Sequence, residues 1–222
     1  MCTVDGVMFG ATNLLPEDIK DKDILEVGSY DVNGSLKPLL SIHQPKSYIG
    51  VDIEAGPNVD EVCKAEELVK RFGNNRFDVV IATELIEHTR YWRETISNIK
   101  QVCKPEGIIL VTTRSKGFRY HGYPDDYWRY EIKDFQAIFS DCEIVKMGSD
   151  SKKPGVFIKV IKPANFTEKD LSLIKLYSIV TRTRTLNIST QDIKKFRRQY
   201  LLRTKTVSYL NKIAGNILKP WR

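Results

Sequence analysis

The stretch Ile24–Gly34, ILEVGSYDVNG, restricts the chain more than any other. A short apolar run carrying one acid breaks into a turn rich in residues that tolerate unusual backbone angles. A buried strand reads this way when it ends in a ligand-binding loop. Gly28 lets the backbone pass close to a ligand, while Asp31, Asn33 and Gly34 favour a tight turn before the next element. Glu26, at the strand end, is placed to accept hydrogen bonds from a cationic group or from loop amides. Taken alone, the stretch suits a ligandless strand-to-turn junction equally well.

The segments that follow alternate between strand and helix. Ser35–Ile42 suits a short helix, and YIGVD at Tyr48–Asp52 reads as a second buried strand ending in a carboxylate. Asp52 stands 24 residues after Gly28, close to the spacing at which a βαβ nucleotide-binding unit presents an acid to a ribose diol. Val59–Cys63 is expected to be a third strand and Ala65–Phe72 a helix. FDVVIA at Phe77–Ala82 is apolar at nearly every position, as in a parallel strand covered on both faces. Trp92, Ile96, Ile99 and Cys103 recur at helical spacing, so Tyr91–Cys103 is expected to be a helix, stopped by the KPEG turn. Ile108–Thr113 makes a fifth strand, Lys133–Phe139 a helix, and Cys142–Gly148 with Val156–Ile161 an antiparallel pair. Short connections between alternating elements give an α/β domain with a parallel sheet.

Two further regions stand out. Arg114–Tyr130 packs six aromatic residues, two acids and a histidine into a loop directly after the fifth strand, where ligands of open parallel sheets bind. Beyond residue 163, thirteen Lys and Arg face three acids, so the tail carries +10 and residues 1–163 carry −3 of the total +7. Two capping-box patterns, Thr167-x-x-Asp170 and Ser189-x-x-Asp192, each precede an amphipathic run, so two helices are expected here. Residues 1–163 thus form one expected domain and 164–222 a basic helical extension. Residues 1–22 are weakly patterned, with Pro16 opening a turn of helix. They lack a basic n-region, and no run of about 18 apolar residues occurs, so neither a secretory signal nor a membrane span is expected. Cys2, Cys63, Cys103 and Cys142 are scattered, which suits reduced thiols in a cytoplasmic protein and suggests neither a disulfide nor a metal site.

Together, ILEVGSYDVNG, YIGVDI, FDVVIATELIEH, KPEG and IILVTT, in that order, resemble the class I S-adenosylmethionine (SAM)-dependent methyltransferases over about residues 23–163. More narrowly, EVGSYDVNGS with HGYPDDYWRY resembles small methyltransferases that modify sugars, glycans or small metabolites. The resemblance implies a Rossmann-like, doubly wound, mostly parallel seven-stranded sheet with an antiparallel last strand, and SAM as cofactor. It implies that Glu26 and Gly28, Ser29 and Tyr30 border the methionine part, and that Asp52 holds the ribose. Ile53 would pack on adenine, Lys64, Ala65 and Glu66 would line its edge, and Thr83 would lie below the methionine chain. The chain departs from the family pattern where Ser29–Asn33 separate Gly28 from Gly34, where Lys64 replaces a common acid, and at Glu106, which replaces a glycine.

The residues agree with that resemblance. The GxGxxG of dinucleotide oxidoreductases and the Gly-Lys-Ser/Thr of P-loops are both missing. Transfer to a hydroxyl needs alignment and a base. His121, beside Asp125 and Asp126, is the first candidate, followed by His88 and Asp126, while His43 has no assigned role. Tyr120, Tyr123 and Tyr127 can line an acceptor site, whereas Trp128 and Tyr130 suit pinning the loop to the core. Asp125 also faces the acceptor, and Arg129 either binds an acidic acceptor or pairs with Asp125 or Asp126. Ala82-Thr-Glu-Leu replaces the Asn/Asp-Pro-Pro-Tyr arrangement common in base methylation, which favours a sugar, glycan or small metabolite. The basic tail suits packing on the domain or on a dimer mate, contact with an anionic membrane or, less well, RNA. The contrasting reading is an RNA- or membrane-binding protein on a degenerate methyltransferase fold.

Overall fold

A computed structural model describes residues 3–217 except Asn33 and Tyr123, with the side chains of Lys205 and of 207–217 outside that description. Seven strands form the main sheet: β1 (Asp23–Val27), β2 (Ser47–Asp52), β3 (Glu61–Val62), β4 (Phe77–Thr83), β5 (Cys103–Arg114), β7 (Glu143–Ser149) and β8 (Gly155–Ile161). Their order is β3-β2-β1-β4-β5-β8-β7. β8 runs antiparallel to both β5 and β7, and the remaining pairs are parallel. This is the doubly wound, mostly parallel sheet expected from the sequence.

Alternation along the strands explains why both faces are covered. Leu25, Val27, Val80, Ala82, Ile109 and Val111 join one core with Leu68 of α4 (Leu68–Phe72), with Trp92, Ile96 and Ile99 of α5 (Trp92–Val102), and with Phe135 and Ile138 of α6 (Ile132–Ile138). The intervening Ile24, Val79, Ile81, Ile108 and Leu110 form a second core with Ile19 of α2 (Pro16–Ile19) and Leu40 of α3 (Lys37–Ser41). The central strands β1, β4 and β5 are therefore apolar on both sides, as parallel strands between helical layers must be.

Three expectations are corrected. The weakly patterned N-terminus forms helix α1 (Val4–Asn13), capped by the Thr3 hydroxyl, which accepts from Gly6 N at 3.2 Å. A side chain at Gly10 would come within 2.4 Å of Leu36, so this glycine lets α1 seat on the sheet layer. The KPEG segment lies within the span of β5, and Glu106 turns it at a left-handed φ of +62°. The helix expected after Thr167 is replaced by turns and by two short strands, β9 (Leu176–Ser178) and β10 (Arg184–Thr185). Both join a small sheet of order β10-β9-β6 with β6 (Trp128–Arg129).

The reason for that last difference is visible in the backbone partners. The Asp170 carboxylate accepts from Ser172 N and Oγ, both at 2.8 Å, closing a turn. Arg93 donates to the carbonyls of Leu171, Ile174 and Leu186 at 2.8, 2.6 and 2.9 Å, and Leu171 O also accepts from Ile174 N at 3.1 Å, so this stretch closes a turn held by a distant guanidinium and not a run of i→i+4 bonds. By contrast, the capping box at Ser189 forms as expected. Asp192 N donates to Ser189 Oγ at 3.0 Å and Ser189 N to Asp192 Oδ2 at 3.0 Å, opening α7 (Thr190–Ile217). The sequence places Ile193, Phe196, Tyr200, Val207, Leu210, Ile213 and Ile217 near one apolar stripe: Ile193 and Phe196 are buried, Tyr200 is exposed instead, and the last four lie outside the described side chains. No helix among the described residues is long and apolar enough to cross a membrane.

Leu171, Leu176 and Ile188 belong to the same buried cluster as β4 and α5. Truncating Leu176, fully buried, to Ala is expected to cost about 2–5 kcal/mol. Truncating Leu173, 84% exposed, should change stability by no more than about 0.5 kcal/mol. Urea unfolding of both variants checks this, and equal midpoints would show that the segment does not share the core.

Candidate functional site

The strand order reverses between β1 and β4, so the loops leaving their carboxyl ends diverge and open a crevice. Gly28 sits at φ +78°, and a side chain there would meet Leu85 at 3.0 Å. Its N and that of Ser29 both donate to Val51 O, at 2.8 and 3.1 Å. Tyr30 N donates to Asp52 Oδ2 at 3.1 Å, and Asp52 Oδ1 accepts from Ile53 N at 2.7 Å. The carboxylate at the end of β2 thereby fixes the loop after β1. The interior of the turn is set by Asp31, whose Oδ1 accepts from Gly34 N at 2.7 Å. The Tyr30 ring lies against bare backbone at Gly56.

Glu26 is buried beneath this loop, with Tyr48 Oη donating to it at 2.9 Å. Burial raises its carboxyl to about 7, against the lowering effect of Tyr48 and of the Lys37 charge. Ser29 Oγ is buried without a hydrogen-bond partner. Thr83 ends β4 and is nearly buried, Ile53 is exposed, and Lys64, Ala65 and Glu66 open a 3-10 turn one residue past β3 and its neighbour Cys63. The structure therefore brings Glu26, Gly28, Ser29, Tyr30, Asp52, Ile53 and Thr83 to one edge of the sheet. The exposed Lys64 and half-buried Glu66 stand beside the end of β2, where Cys63 N donates to Asp52 O at 2.8 Å.

A second cluster follows β4. Glu84 turns the chain at φ +54° and is held by the buried Arg114 guanidinium and by Thr112 Oγ1 at 3.1 Å. Glu87 is fully buried, and its Oε2 accepts from Thr113 Oγ1 at 2.7 Å. Its Oε1 has no hydrogen-bond partner and faces His121 Nε2 at 3.7 Å and His88 Nε2 at 3.9 Å. The two imidazoles meet edge to face, with centroids 4.8 Å apart. His88 Nδ1 lies 2.5 Å from the Asp125 carbonyl. His121 Nδ1 lies 2.9 Å from Asp126 Oδ2, a charge contact whose direction is not that of an aligned hydrogen bond.

These contacts set the charge states. Burial works against protonated His121, but Asp126 and Glu87 outweigh it and lift the imidazole to about 9. Burial likewise works against an ionised Asp126, and the Arg129 and His121 contacts reverse this and hold it well below the usual carboxylate range.

The remaining acceptor-side candidates are spread more widely than expected. Arg129 is buried and donates to Asp126 at 2.5 and 2.7 Å and to the carbonyls of Phe118, Arg119 and Trp128, so its donors face protein rather than an acceptor. The pairing with Asp126, one of its two expected uses, is the one observed. Asp125 accepts from Arg197 of α7 at 2.6 Å and from Tyr127 Oη at 2.8 Å. The Tyr120 ring packs on Phe196 and Tyr200, at centroid distances of 5.1 and 4.7 Å. Trp128 and Tyr130 pin the loop, donating to the carbonyls of Thr89 and Ile86. Tyr123 lies outside the described residues.

The order β3-β2-β1-β4-β5-β8-β7 with this crevice defines the fold, and a family model described as "Methyltransferase domain" matches residues 5–143. The chain belongs to the class I SAM-dependent methyltransferases. The methyltransferase is similar to solved structures at low identity. A Burkholderia thailandensis 1,6-didemethyltoxoflavin-N1-methyltransferase with bound S-adenosylhomocysteine is 13% identical at TM-score 0.57, covering 71% of this chain and 78% of that one. A Mesorhizobium loti SAM-dependent methyltransferase is 12% identical at TM-score 0.54, covering 71% and 98%. The [4+2]-cyclase SpnF is 14% identical at TM-score 0.56, covering 72% and 80%. Likeness at this level establishes the fold alone. No curated protein matches the sequence significantly.

SAM is the cofactor, and the crevice fits it. Bare backbone at Gly28 admits close approach, the Asp52 carboxylate stands at a strand end, and the buried Ser29 hydroxyl has an unused donor. Sequence reading missed Glu87, Arg114 and Arg197. The acid preceding His88 in ELIEH was the available signal for Glu87, whereas the other two act across distances that no local pattern encodes.

Substituting Gly28 with Ala forces a side chain into the left-handed region and onto Leu85, costing about 1–3 kcal/mol. Calorimetric titration is expected to show SAM affinity reduced about tenfold or more in the folded variant. Wild-type affinity would remove this loop from the cofactor site.

Proposed function

We propose that the methyltransferase acts on a hydroxyl of a sugar, glycan or small metabolite. The observation that carries this reading is the convergence of Glu87, His88, His121 and Asp126 just beyond β4, next to Leu85, the residue that underlies Gly28. When bound, SAM supplies a methyl group on a sulfonium, already activated for displacement. The chain must then orient the reactants and ionise a hydroxyl. Asp52 holds the ribose diol and Glu26 the ammonium, while Thr83 and Gly28–Tyr30 bound the methionine part, and Ile53 with Lys64–Glu66 bound the adenine. His88 and, once its own proton has left, His121 present Nε2 atoms to the acceptor proton; Asp126 positions His121, and because that imidazole is lifted to about 9 its use as a base grows as the pH rises toward 9. Glu84 is committed to Arg114 and Thr112, so the polar groups left past β4 for an acceptor are those of Glu87, His88 and His121.

Transfer of labelled methyl from SAM into fractionated cell extract tests this. Label in carbohydrate or small-metabolite fractions supports the reading, and label confined to nucleic acid overturns it. Replacing His121 with Ala should lower turnover about 100-fold or more while leaving SAM affinity unchanged. Unchanged turnover would remove His121 from the reaction.

Glu26 gives the cofactor site a pH dependence of defined sign. Burial favours its neutral form up to about 7 in the free protein, and a bound ammonium favours the carboxylate, so binding releases a proton below that pH. SAM affinity should therefore rise about tenfold between pH 5.5 and 7, and Glu26→Gln should flatten the profile. A wild-type profile that is flat over this range would remove Glu26 from the ammonium.

A further inference from the structure

Glu87, His88 and His121 offer one carboxylate oxygen and two imidazole nitrogens that all lie within 4.8 Å of one another. Residues 33 positions apart in the chain meet here because Tyr127 N and Trp128 N donate to Glu87 O at 2.8 and 3.2 Å, which lays the aromatic loop across the end of β4. We propose that these three side chains form a binding site for a first-row divalent cation, with His88 Nε2, His121 Nε2 and Glu87 Oε1 as ligands.

Three features support a cation rather than a purely structural cluster. First, Glu87 Oε1 is fully buried, lacks a hydrogen-bond partner and points between the two rings. A buried carboxylate oxygen without a donor is costly, and a cation supplies what is missing. Second, each outer nitrogen faces an acceptor, His88 Nδ1 in a hydrogen bond and His121 Nδ1 in a charge contact. A carbonyl can only accept, so His88 Nδ1 carries its proton toward Asp125 O, and in the neutral ring the lone pair lies on Nε2. His121 Nδ1 sits against the Asp126 carboxylate, which is itself held by Arg129. Metal-ligating histidines almost always have such partners behind them. Third, the spacing is close to what coordination needs. Metal–ligand distances of about 2.1 Å put neighbouring donors roughly 3.0–3.4 Å apart; Glu87 Oε1 stands 3.7 and 3.9 Å from the two Nε2 atoms and no pair of donors exceeds 4.8 Å, so an ion would draw them together by side-chain rotation.

The donor set identifies the ion class. Two imidazoles and one carboxylate suit zinc, iron(II), cobalt or manganese, whereas magnesium and calcium prefer all-oxygen sites. Three protein ligands leave positions open, as in catalytic rather than structural sites. The role of the ion, though not its binding, rests on the hydroxyl reading above. With the ion bound, both Nε2 lone pairs are ligands, so the ion takes over from the imidazoles the task of ionising the hydroxyl: an acceptor hydroxyl at an open position loses its proton to solvent more readily. Its oxygen then forms the bond to the methyl carbon as the carbon–sulfur bond breaks, and that electron pair stays on sulfur as the thioether.

Cobalt(II) titration of the full-length protein after chelator treatment tests binding without SAM or an acceptor. The expected result is one equivalent bound, with visible ligand-field bands. Binding should fall at least tenfold in His88→Ala and in the isosteric Glu87→Gln, which retains an oxygen for Thr113, and by about 10–100-fold in Asp126→Asn. His43→Ala, remote from the cluster in sequence, should bind as the wild type does. Circular dichroism identifies which variants are folded. No binding below about 1 mM, or unchanged binding in the folded Glu87→Gln and His88→Ala variants, overturns the proposal. If cobalt binds as expected but no methyl is transferred to any hydroxyl, the site stands and the acceptor reading fails. If hydroxyl methylation proceeds while cobalt does not bind, the reverse holds.

Discussion

One buried carboxylate residue organises the proposed acceptor side of this molecule. Glu87 sits just past β4, and its backbone carbonyl receives two amides of the aromatic loop. Its Oε2 is tied to Thr113 of β5, and its Oε1 faces two imidazoles. A charge at this depth is tolerated only when its surroundings compensate it. Burial disfavours the ionised form, yet His121, His88 and Thr113 together keep Glu87 well below the ordinary glutamate range. The loop's position, the orientation of both histidines and the Asp126–Arg129 pair behind them all depend on this compensation.

The cofactor side follows a different logic, in which backbone does more than side chains. Asp52 and Val51 O receive the amides of the loop after β1, so the shape of that loop is fixed by the end of its neighbouring strand. Only Gly28 can occupy the left-handed turn above Leu85 without displacing it. The two halves meet across Leu85, between the strand that begins the sheet and the strand at which its order reverses.

Much of this arrangement was legible in the sequence, and the exceptions have physical causes. Strands such as Asp23–Val27 and Phe77–Thr83 announce themselves because burial on both faces needs nearly continuous apolar residues. Glu26, Gly28 and Asp52 follow from strand ends and spacing. The helix expected after Thr167 fails because Arg93, on another element, takes its carbonyls, and no local pattern records a distant guanidinium. Helix α1 was hidden because its inward positions include two glycines, Gly6 and Gly10, rather than large apolar residues. For Arg129 the sequence left an acidic acceptor and the neighbouring acids as alternatives; it is buried, and Asp126 three residues earlier neutralises it. Arg197, near the start of α7, reaches back to Asp125 and joins the basic extension to the aromatic loop.

The central claim is that the Gly28 loop and the Glu87 cluster serve one reaction from opposite sides of the crevice. A crystal structure with S-adenosylhomocysteine measures this most directly. Ribose hydroxyls on the Asp52 carboxylate and a sulfur atom open toward His88 and His121 are the expected result. A ligand bound away from Asp52, or with its sulfur turned from both imidazoles, would contradict it.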